Sequence, residues 1–273
     1  MFCFDYLKYF WQDTRFKVIK IESQSRKKFK GIYNHFDVMS DNQKVILACF
    51  AHPDDEIGCI GTLANHCDRE DKVILAWTTS GEMASHFNGM DFSEVKTIRE
   101  EQGTKVGKII GCDTMFLGYG DTSVRSTRES ALKMAKVIAE IKPDAVITWS
   151  MNTRHPDHRG TANILYDAIT YARIPKITEP LDPYRPPLHI PIFMYHEEVS
   201  PLPTMYIDIT ENFEKVRDVA KLYGDFYGWN QVDEWLEVGR KSNGFKCGVK
   251  YAEKFNVLSR YLPVEKHLPI GRE

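Results

Sequence analysis

From Lys44 onward, short β-branched apolar runs alternate with longer segments whose apolar residues recur at helical spacing. Val45–Phe50 reads as a first strand and Lys72–Thr78 as a second, with a helix between them near residues 57–68. A helix over Ser93–Ile110 gathers Val95, Ile98, Val106, Ile109 and Ile110 into an apolar face and stops at Gly111, after which Thr114–Leu117 supplies a third strand. A helix over Arg128–Ile141, ended by Pro143, leads to a fourth strand at Ala145–Trp149 and to a further helix reaching Ala172. Residues 174–191 are proline-rich and read as a loop near the site entrance. Ile192–Tyr195 and Met205–Ile209 read as strands, and residues 211–223 and 246–259 as helices. This alternation predicts an α/β fold, a Rossmann-like doubly wound and mostly parallel sheet.

Residues 1–40 break the pattern. An aromatic opening (Phe2, Phe4, Tyr6, Tyr9, Phe10, Trp11) precedes Arg26, Lys27, Lys28 and Lys30. The segment is net +4 and leaves −6 for the remainder, so it reads as an N-terminal extension to a single domain over residues 41–273. Its charges fit a solvated surface extension; a membrane-surface contact through residues 1–40 is the alternative.

The overall charge of −2 and the lack of a basic stripe on the domain argue against a nucleic-acid partner. No Gly-x-Gly-x-x-Gly follows the first strand and no Gly-Lys-Ser/Thr phosphate loop occurs, which argues against nicotinamide and nucleoside triphosphate chemistry. Six cysteines without a Cys-x-x-Cys pair read as reduced core thiols of a cytoplasmic protein. No apolar run reaches the roughly 20 residues that a membrane-spanning helix needs. Self-association is left open.

The chemistry concentrates in two turns. Ala51-His52-Pro53-Asp54-Asp55-Glu56 follows the first strand, and His155-Pro156-Asp157-His158 follows the fourth. Doubly wound sheets place those two strands side by side where the winding reverses, and ligands bind at the carboxyl ends there. Adjacent carboxylates and imidazoles form a cluster that a cation would neutralise, and two histidines with one carboxylate are a common catalytic zinc set. A spare carboxylate can then act as base and a spare histidine can stabilise an oxyanion. Glu56, in the first turn of the following helix, is also explained by the helix dipole.

These motifs resemble the LmbE-like (PIG-L) zinc-dependent N-acetylglucosaminyl deacetylases. Weaker echoes are Ser80-Gly81-Glu82, Arg99-Glu100-Glu101, the run from Phe116 to Asp121, Ile207-Asp208-Ile209 and Tyr251-Ala252-Glu253-Lys254-Phe255. The resemblance implies that His52, Asp55 and His158 hold Zn2+, with Fe2+ also admitted by these donors. It further implies Asp54 as general base toward zinc-bound water, His155 on the carbonyl or its oxyanion, and Asp157 orienting a histidine. Glu82, Arg99 and Asp121 occupy positions that would contact substrate. The implied activity is removal of an N-acetyl group from an N-acetylated aminosugar conjugate. The alternatives are a zinc amidase or esterase acting on a non-sugar acyl compound, and a non-catalytic, metal-stabilised carbohydrate-binding protein.

Overall fold

Val45–Phe50 (β1) is buried at all six positions, which explains why its sequence is a continuous apolar run rather than an alternating one. A computed structural model of the protein describes residues 43–186 and 189–259. The expectations for residues 1–40, including membrane contact, therefore lie outside the described residues. After β1 come a 3-10 turn at Asp55–Gly58 and α1 (Ile60–Asp68), then β2 (Lys72–Trp77), α2 (Phe92–Ile110) and β3 (Asp113–Phe116). Next are α3 (Arg128–Ile141), β4 (Ala145–Thr148), α4 (Pro156–Tyr171) and a single turn, α5 (Pro175–Thr178), within the proline-rich loop. The chain continues through β5 (Ile192–Tyr195), β6 (Thr204–Asp208), α6 (Phe213–Tyr227), α7 (Val232–Cys247) and β7 (Ala252–Leu258).

The sheet has the order β3-β2-β1-β4-β5-β7-β6. Every neighbouring pair is parallel except the two made by β7, which runs antiparallel to both β5 and β6. Strand β1 pairs with β2 on one side and β4 on the other, so the winding reverses between β1 and β4. Alternate β1 side chains serve two cores. Ile46, Ala48 and Phe50 pack in the cluster with Ile60, Leu63, Val106 and Phe213, from α1, α2 and α6. Val45, Leu47 and Cys49 pack in the cluster with Met134, Ile138, Ile164 and Leu165, from α3 and α4.

Local signals set the helix ends. Asp91 and Glu94 form a capping box on α2, and Gly111 ends it at φ 92°. Thr127 caps α3 by accepting from the Ser130 N–H. The expected helix over residues 246–259 is not formed: the segment holds β7, and the helix lies earlier, as α7. Strand β7 is flanked by strands on both edges and mostly buried, so it lacks the alternation that marks a strand with one wet face. Helix α7 hides mainly because its apolar residues include exposed Trp235, Val238 and Phe245, which obscure a core-facing stripe.

Candidate metal centre

The turn after β1 is built around Asp55. Its Oδ2 accepts from the backbone N–H groups of Ala51 at 3.0 Å and His52 at 2.9 Å, which locks the carboxylate under the turn. From there it reaches both motifs: Oδ2 lies 3.5 Å from His52 Nδ1, and Oδ1 lies 3.1 Å from His158 Nε2. Burial works to raise the Asp55 carboxyl, but its hydrogen bonds with His158 and His52 outweigh that and hold it well below the usual range. The His158 ring is stacked on Trp149 at 4.2 Å, which fixes its plane.

The far side of His52 is gripped as well. Its Nε2 lies 3.2 Å from Asp121 Oδ1 and 3.4 Å from Asp157 Oδ2. Asp157 is fully buried at the start of α4 and accepts from the N–H groups of Thr122 at 2.7 Å and Val124 at 3.3 Å. Burial disfavours a charged His52, yet hydrogen bonds to Asp121, Asp157 and Asp55 push its pKa up to about 12. Such surroundings are arranged to hold positive charge, and a cation coordinated there displaces the proton. Ligand atoms of His52, His155 and His158 lie within 4.8 Å of one another, as do those of His52, Asp121 and Asp157. The nitrogen and oxygen donors around His52 therefore fit a divalent metal.

Asp54 turns the other way. Its φ of 103° is a region that side chains other than glycine adopt at a cost, and it sends neighbouring carboxylates to different partners. Asp54 Oδ2 accepts from Arg99 Nη2 at 3.1 Å and from the Tyr227 hydroxyl at 3.2 Å. Arg99, only 1 % exposed, also donates to the Pro53 carbonyl and to Gln102. Burial raises the Asp54 pKa to about 6 against the opposing pull of Arg99. Beneath the turn, Glu56 accepts from the Asp54 N–H, Trp77 Nε1 and the Tyr223 hydroxyl, and burial raises its pKa to about 7. Glu56 thus braces the turn, a role beyond the helix dipole.

His155 N-caps α4 through Nδ1, which accepts from the Asp157 N–H at 3.3 Å. In the neutral ring the hydrogen is then on Nε2. Burial and the neighbouring His158 and His52 lower its pKa and favour that neutral form.

All nine residues expected at the site lie in this one network, but three of them face protein groups. Arg99 lies on Asp54, Asp121 on His52, and Glu82 Oε1 accepts from the Asp121 N–H at 3.0 Å. Tyr223 and Tyr227 escaped the sequence reading because they arrive from α6, 167 and 173 residues away, with no local motif. Asp121 carried a usable signal, an aspartate in the loop after β3 on the carboxyl side of the sheet.

Residues 47–169 match the family model described as "PIG-L: GlcNAc-PI de-N-acetylase". The chain is 27% identical over 223 residues to a diacetylchitobiose deacetylase of Thermococcus kodakarensis, covering 77% of this chain and 81% of the relative. It is 25% identical over 214 residues to a probable N-acetyl-alpha-D-glucosaminyl L-malate deacetylase of Bacillus anthracis, covering 72% of this chain and 93% of the relative. A solved N,N'-diacetylchitobiose deacetylase of Pyrococcus horikoshii superposes with a TM-score of 0.69 at 25% identity, over 80% of this chain and 85% of that one. A 4-oxalmesaconate hydratase of Pseudomonas putida is 23% identical over 192 residues, covering 65% of this chain and 72% of the relative, so the likeness extends beyond deacetylases. Both motifs lie inside the matched segment and meet across β1 and β4, so the likeness to the PIG-L family rests on the residues that build this site.

Proposed function

We propose that the chain is a metal-dependent hydrolase that removes the acetyl group from the nitrogen of an N-acetylglucosamine-type sugar conjugate. The observation that carries this reading is one carboxylate, Asp55, shared between His52 and His158, with a separately held carboxylate, Asp54, beside it. The named activities of the relatives supply the substrate class. His52, Asp55 and His158 would hold the ion, zinc in the first instance, with iron also suited to the donors. When bound, the metal supplies a water whose pKa falls from about 15.7 to about 7 and a positive charge for the carbonyl oxygen.

The protein groups do the rest. Asp54 takes a proton from the attacking water and returns it to the leaving amine. Arg99 and Tyr227 both bond Oδ2, which leaves Oδ1 to exchange that proton. His155 donates from Nε2 to the carbonyl oxygen as its negative charge grows, a contact typically worth roughly 3 kcal/mol. Asp157 and Asp121 hold the ring of His52 in one orientation.

The test is acetate release from a panel of N-acetylglucosamine conjugates by metal-loaded protein, with and without chelator. Chelator-sensitive release is the expected result. Failure on every N-acetylated sugar, with metal content confirmed, would sink the reading. Turnover of another acyl amide or ester would then favour the broader amidase, and sugar binding without release would favour a non-catalytic role. The likeness to a hydratase adds one arm, addition of water to an unsaturated carboxylate.

A further inference from the structure

The catalytic groups leave unexplained the apolar side chains at the mouth of the site. Two elements bring them. The loop after β2 places Met83 one residue past Glu82; its backbone N–H donates to Asp121 Oδ2 at 2.9 Å, while the residue stays 50% exposed. The end of α6 places Tyr227 on Asp54 and, beyond it, Trp229, with ring centroids 4.7 Å apart. Exposed His86 joins loop to helix, its ring 4.3 Å from Tyr227 and 6.3 Å from Trp229. Phe226, 43% exposed, packs on Phe87 of the same loop at 4.9 Å.

The aromatic side chains therefore begin at Tyr227, which bonds Asp54, and step outward to Trp229 and Phe226. Large apolar side chains held partly in water at the edge of a polar site mark a place where a ligand covers them. Continuity with Asp54 decides what that ligand is: whatever lies on Tyr227 and Trp229 is within reach of the reacting centre, so the occupant is the remainder of the substrate. Aromatic faces such as Trp229 stack on sugars as well as on alkyl groups, but Met83 and Phe226, 50% and 43% exposed, add surface that only an apolar group covers with gain.

We propose that this rim is the subsite for an apolar aglycone, an alkyl or aryl group carried by the N-acetylated sugar, and that Met83, Phe226 and Trp229 set the preference for it. The inference rests on the deacetylase reading above. It adds that the conjugate is amphipathic, with the sugar amide on the metal side and the apolar group on the rim.

Metal-loaded protein is compared on methyl and hexyl N-acetylglucosaminides of both anomers, reading kcat and KM separately, with binding of each followed by calorimetry. Partial cover of the added methylenes gives the hexyl compound an advantage of about tenfold or more, expressed in KM and in binding. Trp229→Ala and Met83→Ser, made separately, each narrow the hexyl-to-methyl ratio. A ratio near one in the unaltered protein, or one that survives in both variants, overturns the proposal. Protein that binds hexyl over methyl but releases no acetate from either keeps the rim and loses the deacetylase reading. Turnover of both without preference does the reverse.

Discussion

Asp54 and Asp55 are chemically identical neighbours for which we propose opposite tasks, because their partners differ. Asp55 is bonded to two imidazoles and two backbone N–H groups, whereas Asp54 is held by Arg99 and Tyr227. Asp54→Asn keeps the shape and removes the base, so metal content stays whole while turnover falls by about 10²–10⁴. Metal analysis of the purified variant beside its rate decides this, and near-normal turnover would end the assignment of Asp54 as base. Asp121 offers a test at one remove from the metal. Asp121→Asn weakens the grip on His52 and lowers metal affinity about 10–100-fold, read by competition with a chromophoric chelator. Undiminished affinity in that variant would return Asp121 to the substrate. At this scale the sequence was most legible where chemistry is contiguous, as in the two turns. It was least legible where one side chain crosses the fold. Glu253 shows the same limit: it was visible only as part of a motif, yet it accepts from Gly61 N and Thr62 N at the start of α1, up to 192 residues away.

Among the elements, α4 and its N-cap His155 carry three of the six motif residues, and the helix must lie close to the loop that feeds Asp121, Thr122 and Val124 into the site. Gly160 permits that approach, since a Cβ there would collide with the Val124 backbone carbonyl. Gly160→Ala forces the loop and helix apart. We expect it to cost about 1–3 kcal/mol by urea denaturation and to weaken metal binding as well. A fully stable variant with unaltered affinity would show that the loop gives way freely. The alternation of strands and helices was readable because it depends on periodicity and on helix-ending signals such as Gly111 and Pro143. The exchange of α7 and β7 was not, because a strand paired on both edges and a helix with exposed Trp235, Val238 and Phe245 each lose the pattern that would name them.

At the level of the whole molecule, the reversal of winding between β1 and β4 makes one site from two short turns. That juxtaposition followed from topology before any distance was known, because an α/β alternation leaves few strand orders open. The apolar rim did not follow, since it is assembled from a loop and a helix end that share no motif. Metal bound only by the folded chain stabilises it. With free metal at a hundredfold its Kd the gain is about 2.7 kcal/mol, so chelation lowers the melting temperature by about 5–10 °C. His158→Ala removes most of that difference, and a chelator effect of the same size in the variant would place the ion elsewhere.

The strand order also imposes an order in time. As the chain leaves the ribosome, β1 can pair with β2 and β2 with β3, while the edge awaiting β4 stays bare and carries a strand apolar on both faces. His52 and Asp55 are then already synthesised, but His158 lies 42 residues beyond the end of β3 at Phe116. On the proposed reading, capture of the ion is a late event, and the same closure that completes its ligands covers the bare edge of β1.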